Sequence, residues 1–139
     1  MNYSKSELIV MHSLLASRQE EILSSICRLV ECESPSGDFA GSRAVVDILA
    51  EIAGTIPAVN AVERIPVTGY GEHLRVKVFD RPGDNARTTL VLGHTDTVHP
   101  RGTLSTQSVR ADDGRLYGPG IFDMKGSCVL ALEALRALA

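Results

Sequence analysis

Apolar residues recur at helical spacing three times in the first half of the chain, then give way to alternation. Leu8, Met11, Leu14 and Leu15 stand three and four apart, which stacks them on one helical face over residues 6–16. Ser17 followed by Glu20 matches a capping box, so a second helix is expected to start there and to bury Ile22, Leu23, Ile26, Cys27, Leu29 and Val30. Ser34-Pro35-Ser36-Gly37 ends it, because the residue before a proline is pushed out of the helical region and glycine interrupts the run. A third helix is expected over residues 42–53, with Ala44, Val45, Ile48, Leu49 and Ile52 on one face and Gly54 as its stop.

After Pro57 the period changes. Residues 59–67 and 74–79 are β-rich, the second with Leu74, Val76 and Val78 alternating against Arg75 and Lys77. Thr68-Gly69-Tyr70-Gly71 joins them, and Arg81-Pro82-Gly83-Asp84-Asn85 reads as a turn. Residues 88–92 are wholly apolar or β-branched, as in a strand covered on both faces in the middle of an α/β sheet. Asp113-Gly114, between residues 108–111 and 115–117, is a hairpin signal. Residues 122–139 predict a last helix with Val129, Leu132, Leu135 and Leu138 inward and Asp123 near its start. The expected fold class is α/β.

A chain of 139 residues suffices for one domain with a real core. Its net charge of −3 and the lack of any Lys/Arg cluster argue against a nucleic-acid partner. No segment approaches the ~20 apolar residues of a membrane span, and the first residues, carrying Lys5 and Glu7, do not read as a secretory leader. Cys27, Cys32 and Cys128 are odd in number and form no CxxC pair, which suits reduced thiols in the cytoplasm.

Candidate chemistry gathers between residues 90 and 126. His94 and Asp96 stand two apart at the end of an extended run, so both can point to one side of a sheet. Ligands of open α/β sheets collect at the carboxyl ends of strands. An imidazole there can bind a metal through one nitrogen while a neighbouring carboxylate takes the N–H of the other. Equally, His94 can simply cap the strand and Asp96 begin a turn. Asp123 follows Gly118 and Gly120, which let backbone approach a bound ion, and a carboxylate can bridge two cations. Its alternative is an acidic residue favoured by a helix dipole. Neither a P-loop nor a GxSxG elbow is present. His12, His73 and His99 read as surface or packing residues, Lys125 as solvated, Glu31, Glu33 and Asp38 as solubilising, and Glu133 as part of a core helix rather than a general base.

Val91-Leu92-Gly93-His94-Thr95-Asp96-Thr97-Val98, with Tyr117-Gly118-Pro119-Gly120-Ile121-Phe122-Asp123-Met124-Lys125-Gly126 downstream, resembles the zinc exopeptidase family of glutamate carboxypeptidase, acetylornithine deacetylase and succinyl-diaminopimelate desuccinylase. The resemblance implies a three-layer α/β/α sandwich with a mixed sheet, in which His94 binds one zinc, Asp123 bridges two, and Asp96 orients His94 in a catalytic role. It also makes Asp123–Met124 a candidate cis peptide. Two zincs per complete site are implied, with cobalt as a substitute, and a small peptide or N-acyl amino acid as substrate. The short loop between the motifs and the absence of tryptophan look most like glutamate carboxypeptidase, whereas Met124 stands where that enzyme commonly has a second Asp.

On this resemblance residues 1–139 are the N-terminal part of a metallopeptidase catalytic domain. The general base, the remaining metal ligands and a lid domain that makes a homodimer would lie outside the chain. The expected function is metal-dependent amide or peptide hydrolysis, with the chain alone an incomplete and inactive fragment. Two other readings stand beside it. One is a truncated, non-catalytic paralogue serving as a binding or regulatory module. The other is a structural domain with one metal or none, in which His94 and Asp123 stabilise turns.

Overall fold

The first helix is set by its cap. In the computed structural model, which describes residues 3–80 and 88–139, α1 (Lys5–Ser17) begins behind Ser4. The Ser4 hydroxyl accepts from Glu7 N at 3.3 Å, and the Glu7 carboxylate accepts from Ser4 N at 2.7 Å. The box expected at Ser17 and Glu20 does not form. Ser17 closes α1 instead, its hydroxyl donating back to the Leu14 carbonyl at 2.8 Å, and α2 (Gln19–Glu31) starts behind Arg18 with no side-chain cap. Helix α1 buries none of its residues, and Leu8 and Leu14 are exposed. Its spacing predicted a helix correctly but not a core face.

The core lies where α2, α3 (Phe39–Gly54) and α4 (Gly126–Ala137) meet. Ile26, Leu29 and Val30 of α2 pack with Val45, Leu49 and Ala53 of α3, Ile56, and Val129 and Leu132 of α4. Each large aliphatic side chain removed from water there contributes about 1.5–3 kcal/mol. Helix α3 starts three residues before its apolar pattern does, because Asp38 caps it by accepting from Gly41 N at 2.9 Å. Gly41 is required by proximity: a Cβ there would stand 2.4 Å from the Glu33 carbonyl oxygen.

Strands β1 (Val59–Val67) and β2 (Gly71–Val78) form the expected antiparallel hairpin and lie against α3, with Val62 opposite Val76. Val62, Leu74 and Val76 face the core, while Glu63 pairs with Arg75 and Lys77 on the other side. A short hairpin, β3 (Arg110–Asp112) and β4 (Arg115–Tyr117), turns at Asp113-Gly114, both at positive φ (46° and 69°) as a two-residue turn of this type needs. The Arg110 guanidinium stacks 4.3 Å from the Tyr117 ring centroid.

Helices and strands together make this an α/β chain. Among the described residues the strands form two separate antiparallel pairs, joined to nothing larger, plus one isolated parallel bridge between Pro35 and Thr97. The segment expected as a covered strand departs from expectation. Residues 88–92 run without a ladder partner among the described residues, and Leu90, Val91 and Leu92 are 77%, 70% and 78% exposed. A strand is held by hydrogen bonds to its neighbours, and none of the described residues line up beside this one. The turn expected at residues 81–85 lies outside the described residues. No helix among those described is long and apolar enough to cross a membrane.

Candidate metal centre

Three segments far apart in sequence converge on His94. The first is the end of the 88–94 run itself. The second is the turn that follows α2, where Ser34-Pro35-Ser36 lies parallel to Thr95-Asp96-Thr97. Thr97 N donates to Ser34 O at 2.9 Å and Ser36 N to Thr97 O at 3.1 Å, while the Ser34 hydroxyl donates to Thr95 O at 2.7 Å. The third is a single wide turn, Ile121–Lys125, that leads into α4.

Asp123 sits in that wide turn and not in a regular helix. Asp123 and Met124 have non-helical backbone angles, and the peptide between them is cis. The glycines before it matter for a reason the motif alone does not disclose. Gly120 has φ of 72°, and a Cβ on it would lie 2.5 Å from Thr97 Cγ2. The bare backbone therefore lets the Asp123 turn dock on the loop that carries Asp96.

His94 Nε2 lies 2.9 Å from Asp123 Oδ1. On the other side of the ring, Nδ1 lies 3.0 Å from the Asp96 carbonyl oxygen and 3.3 Å from Asp96 Oδ1. The structure thus brings together His94, Asp96 and Asp123, the three residues singled out by the sequence. The Asp123 carboxylate, helped by Asp96, holds the imidazole's pKa above its usual value against the opposing effect of burial. The Asp96 carboxyl is held below its usual range, first by the Ser36 hydroxyl, which donates to Oδ2 at 2.5 Å. Cys128, on α4, donates its thiol to the His94 carbonyl at 3.4 Å.

The donor set suits a metal in part. Two ligands of a tetrahedral zinc, each about 2.0–2.2 Å from the ion, stand ~3.3 Å apart; His94 Nε2 and Asp123 Oδ1, at 2.9 Å, need open only by a few tenths of an ångström. With its proton on Nδ1, facing Asp96, the imidazole presents the Nε2 lone pair toward that point. Among the described residues, however, no group of three or more His, Cys, Asp or Glu side chains could hold a metal ion.

Several supporting residues were misjudged from sequence. Lys125 is not solvated: it is 1% exposed, and Nζ donates to the Cys32 carbonyl at 2.7 Å, tying the Asp123 turn to the end of α2. Burial lowers its pKa. Glu33 is more than a solubilising charge, since its carboxylate accepts from Gly102 N at 2.7 Å and Leu104 N at 3.0 Å and holds the loop after Asp96. Asp38 caps α3 and pairs with Arg101 of that loop. Ser36 stands in the expected helix stop, but its hydroxyl donates to the Asp96 carboxylate. Its partner is 60 residues away, so no local pattern reveals it. Glu133 is buried and committed to Arg18 and Arg136, in keeping with a core role.

Comparison with known proteins agrees with these motifs. Residues 90–139 match the family model described as Peptidase family M20/M25/M40. Carboxypeptidase G2 of Pseudomonas sp. (strain RS-16) is 28% identical over 130 residues, covering 93% of the chain and 30% of that protein. Succinyl-diaminopimelate desuccinylase of Anaplasma marginale (strain Florida) is 30% identical over 125 residues, 87% of the chain and 31% of that protein. The same enzyme of Rhodopseudomonas palustris (strain BisA53) is 35% identical over 117 residues, 80% of the chain and 29% of that protein. The chain therefore spans about 30% of the length of the curated relatives it matches.

Proposed function

From the match of residues 90–139 to Peptidase family M20/M25/M40 and the likeness of most of the chain to its relatives, we propose that the chain belongs to that family and forms the first part of the catalytic domain of a zinc-dependent amide hydrolase. Small peptides or N-acyl amino acids are its substrates, with carboxypeptidase-like cleavage. The observation that carries this reading is the 2.9 Å approach of His94 Nε2 to Asp123 Oδ1 from segments 29 residues apart, with Nδ1 turned to Asp96.

In this reading His94 would be a ligand of one zinc, Asp123 would serve a pair, and Asp96 would fix the imidazole so that Nε2 presents its lone pair. The Asp123 side chain is 74% exposed and can turn its second oxygen outward. Zinc bound there supplies Lewis acidity, polarising a scissile carbonyl and making a water acidic enough to serve as nucleophile; cobalt offers similar chemistry. The described residues leave two roles unfilled. They contribute no third ligand group, and Glu133, held by two arginines, is not free to act as a base. We assign those roles, together with a lid that makes a homodimer, to the length of the relatives that this chain does not span. The same length would flank residues 88–92 and complete a three-layer sandwich with a mixed sheet. Three free cysteines favour the cytoplasm.

The test is metal content. Chain purified without chelators and then offered zinc is expected to hold one zinc, weakly, to lose it on His94→Ala or Asp123→Ala, and to hydrolyse no amide substrate measurably. Two firmly held zincs per chain, or zinc retained by both variants, would overturn the assignment.

A further inference from the structure

We infer that Ser36 is a positioning residue for His94, acting through Asp96. This rests on the reading of His94 as a metal ligand oriented by Asp96, and extends it to a residue no comparison assigns. The geometry is specific. The two oxygens of the Asp96 carboxylate have different partners: Oδ2 accepts from Ser36 Oγ at 2.5 Å, and Oδ1 faces His94 Nδ1 at 3.3 Å. A carboxylate on a loop can rotate about its last bond. A hydroxyl holding one oxygen fixes that rotation and aims the other oxygen at the imidazole.

The hydroxyl is itself held. Ser36 N donates to Thr97 O at 3.1 Å, Thr97 N donates to Ser34 O at 2.9 Å, and Ser34 Oγ donates to Thr95 O at 2.7 Å. These bonds lock the 34–36 turn against the 95–97 loop in one register. Ser36 thus delivers its hydroxyl from a braced backbone, and Pro35 between the two serines limits the turn further. The alternative, that Ser36 only stabilises the loop, predicts that its loss acts equally whether or not Asp96 is present.

The experiment compares the chain with its Ser36→Ala, Ser36→Thr, Asp96→Ala and Ser36→Ala/Asp96→Ala variants. Two readouts are taken: zinc affinity by competition with a chromophoric chelator, and the Nδ1–H to Nε2–H ratio of His94 by side-chain nitrogen NMR, metal-free, where the ring is neutral. Ser36→Ala is expected to weaken zinc binding roughly 3- to 10-fold and to lower the ratio by a similar factor, the size of one lost hydrogen bond that acts at one remove from the ligand. Ser36→Thr, which keeps the hydroxyl, is expected to restore both. In the Asp96→Ala background, removing the Ser36 hydroxyl is expected to change neither. An unchanged ratio in Ser36→Ala, or an equal loss in the presence and absence of Asp96, overturns the role of Ser36. If the chain binds zinc no better than its His94→Ala variant, the metal assignment fails by itself, and the tautomer ratio still decides for or against Ser36.

Discussion

Removing the Glu133 carboxylate should cost several times the stability lost on deleting an exposed surface charge. Glu133 is 3% exposed on α4. Its Oε2 accepts from Arg18 Nε at 2.9 Å, and its Oε1 accepts from Arg18 Nη2 and Arg136 Nε, each at 3.2 Å. It therefore joins the start of α2 to α4 through a two-pronged bond. Breaking a buried pair by deleting one partner costs about 3–5 kcal/mol, chiefly because the other charge is left unpaired. Arg18 and Arg136 keep 23% and 13% of their side-chain surface in water, so both can partly rehydrate. That brings the expected loss for Glu133→Ala to about 2–4 kcal/mol. For a chain of this size it corresponds to a melting point lower by roughly 10 °C. Urea unfolding of the chain and of the variant, followed by far-UV circular dichroism, measures the difference directly.

The pH dependence gives a second, independent check. Burial raises the Glu133 carboxyl, but the bonds and charges of Arg18 and Arg136 outweigh it, so the folded-state pKa lies below the ordinary value. A depressed carboxylate stabilises the fold above its unfolded pKa and loses that contribution as the pH falls through the folded one. The gap between the chain and Glu133→Ala should therefore be full at pH 7 and close in acid. A gap below about 0.5 kcal/mol at pH 7, the size expected of an unremarkable surface change, or one that stays constant down to pH 3, would refute the assignment of Glu133 as a structural anchor.

Three further outcomes follow from the geometry. Gly41→Ala should destabilise the chain by more than 1 kcal/mol, since the added methyl meets the Glu33 carbonyl at 2.4 Å and a backbone atom has little room to give; a urea midpoint equal to that of the parent would contradict this. Leu92→Ser should leave the stability of this chain within about 0.5 kcal/mol, because the side chain is already in water. A large loss in the same titration would mean that a second copy or another segment covers the run. Zinc affinity should rise with pH through the elevated pKa of His94 and fall below it, since the proton that Asp123 holds on the ring competes for Nε2; chelator competition at several pH values would show a flat profile if His94 were not a ligand.

Spacing alone located the helices, the 59–78 hairpin and the tight turn at Asp113-Gly114, since each answers to interactions within a few residues. It also marked His94, Asp96 and Asp123, because residue types that bind metals stood at the ends of predicted elements. What it misjudged was decided by which partner each group met, in one case within a helical turn and otherwise at a distance. Ser17 looked like a cap, yet became the end of α1, where its hydroxyl found a carbonyl. Lys125 looked like a surface charge, yet lies buried because the end of α2 presents a carbonyl 93 residues earlier in the chain. Residues 88–92 looked like a covered strand, yet an apolar run is a strand only when neighbours accept and donate along it.

The sequence by itself thus determined the local elements and the identity of the candidate ligand groups, because propensity, turn chemistry and donor type are carried by short stretches of chain. Only the tertiary structure decided that Asp123 lies on a wide turn docked against Thr97, that Ser36 grips Asp96, and that the His94 imidazole stands between two acidic residues. Apart from the local His94–Asp96 contact, these contacts join residues 23 to 60 apart, and they exist only once the chain has folded far enough to bring their segments together.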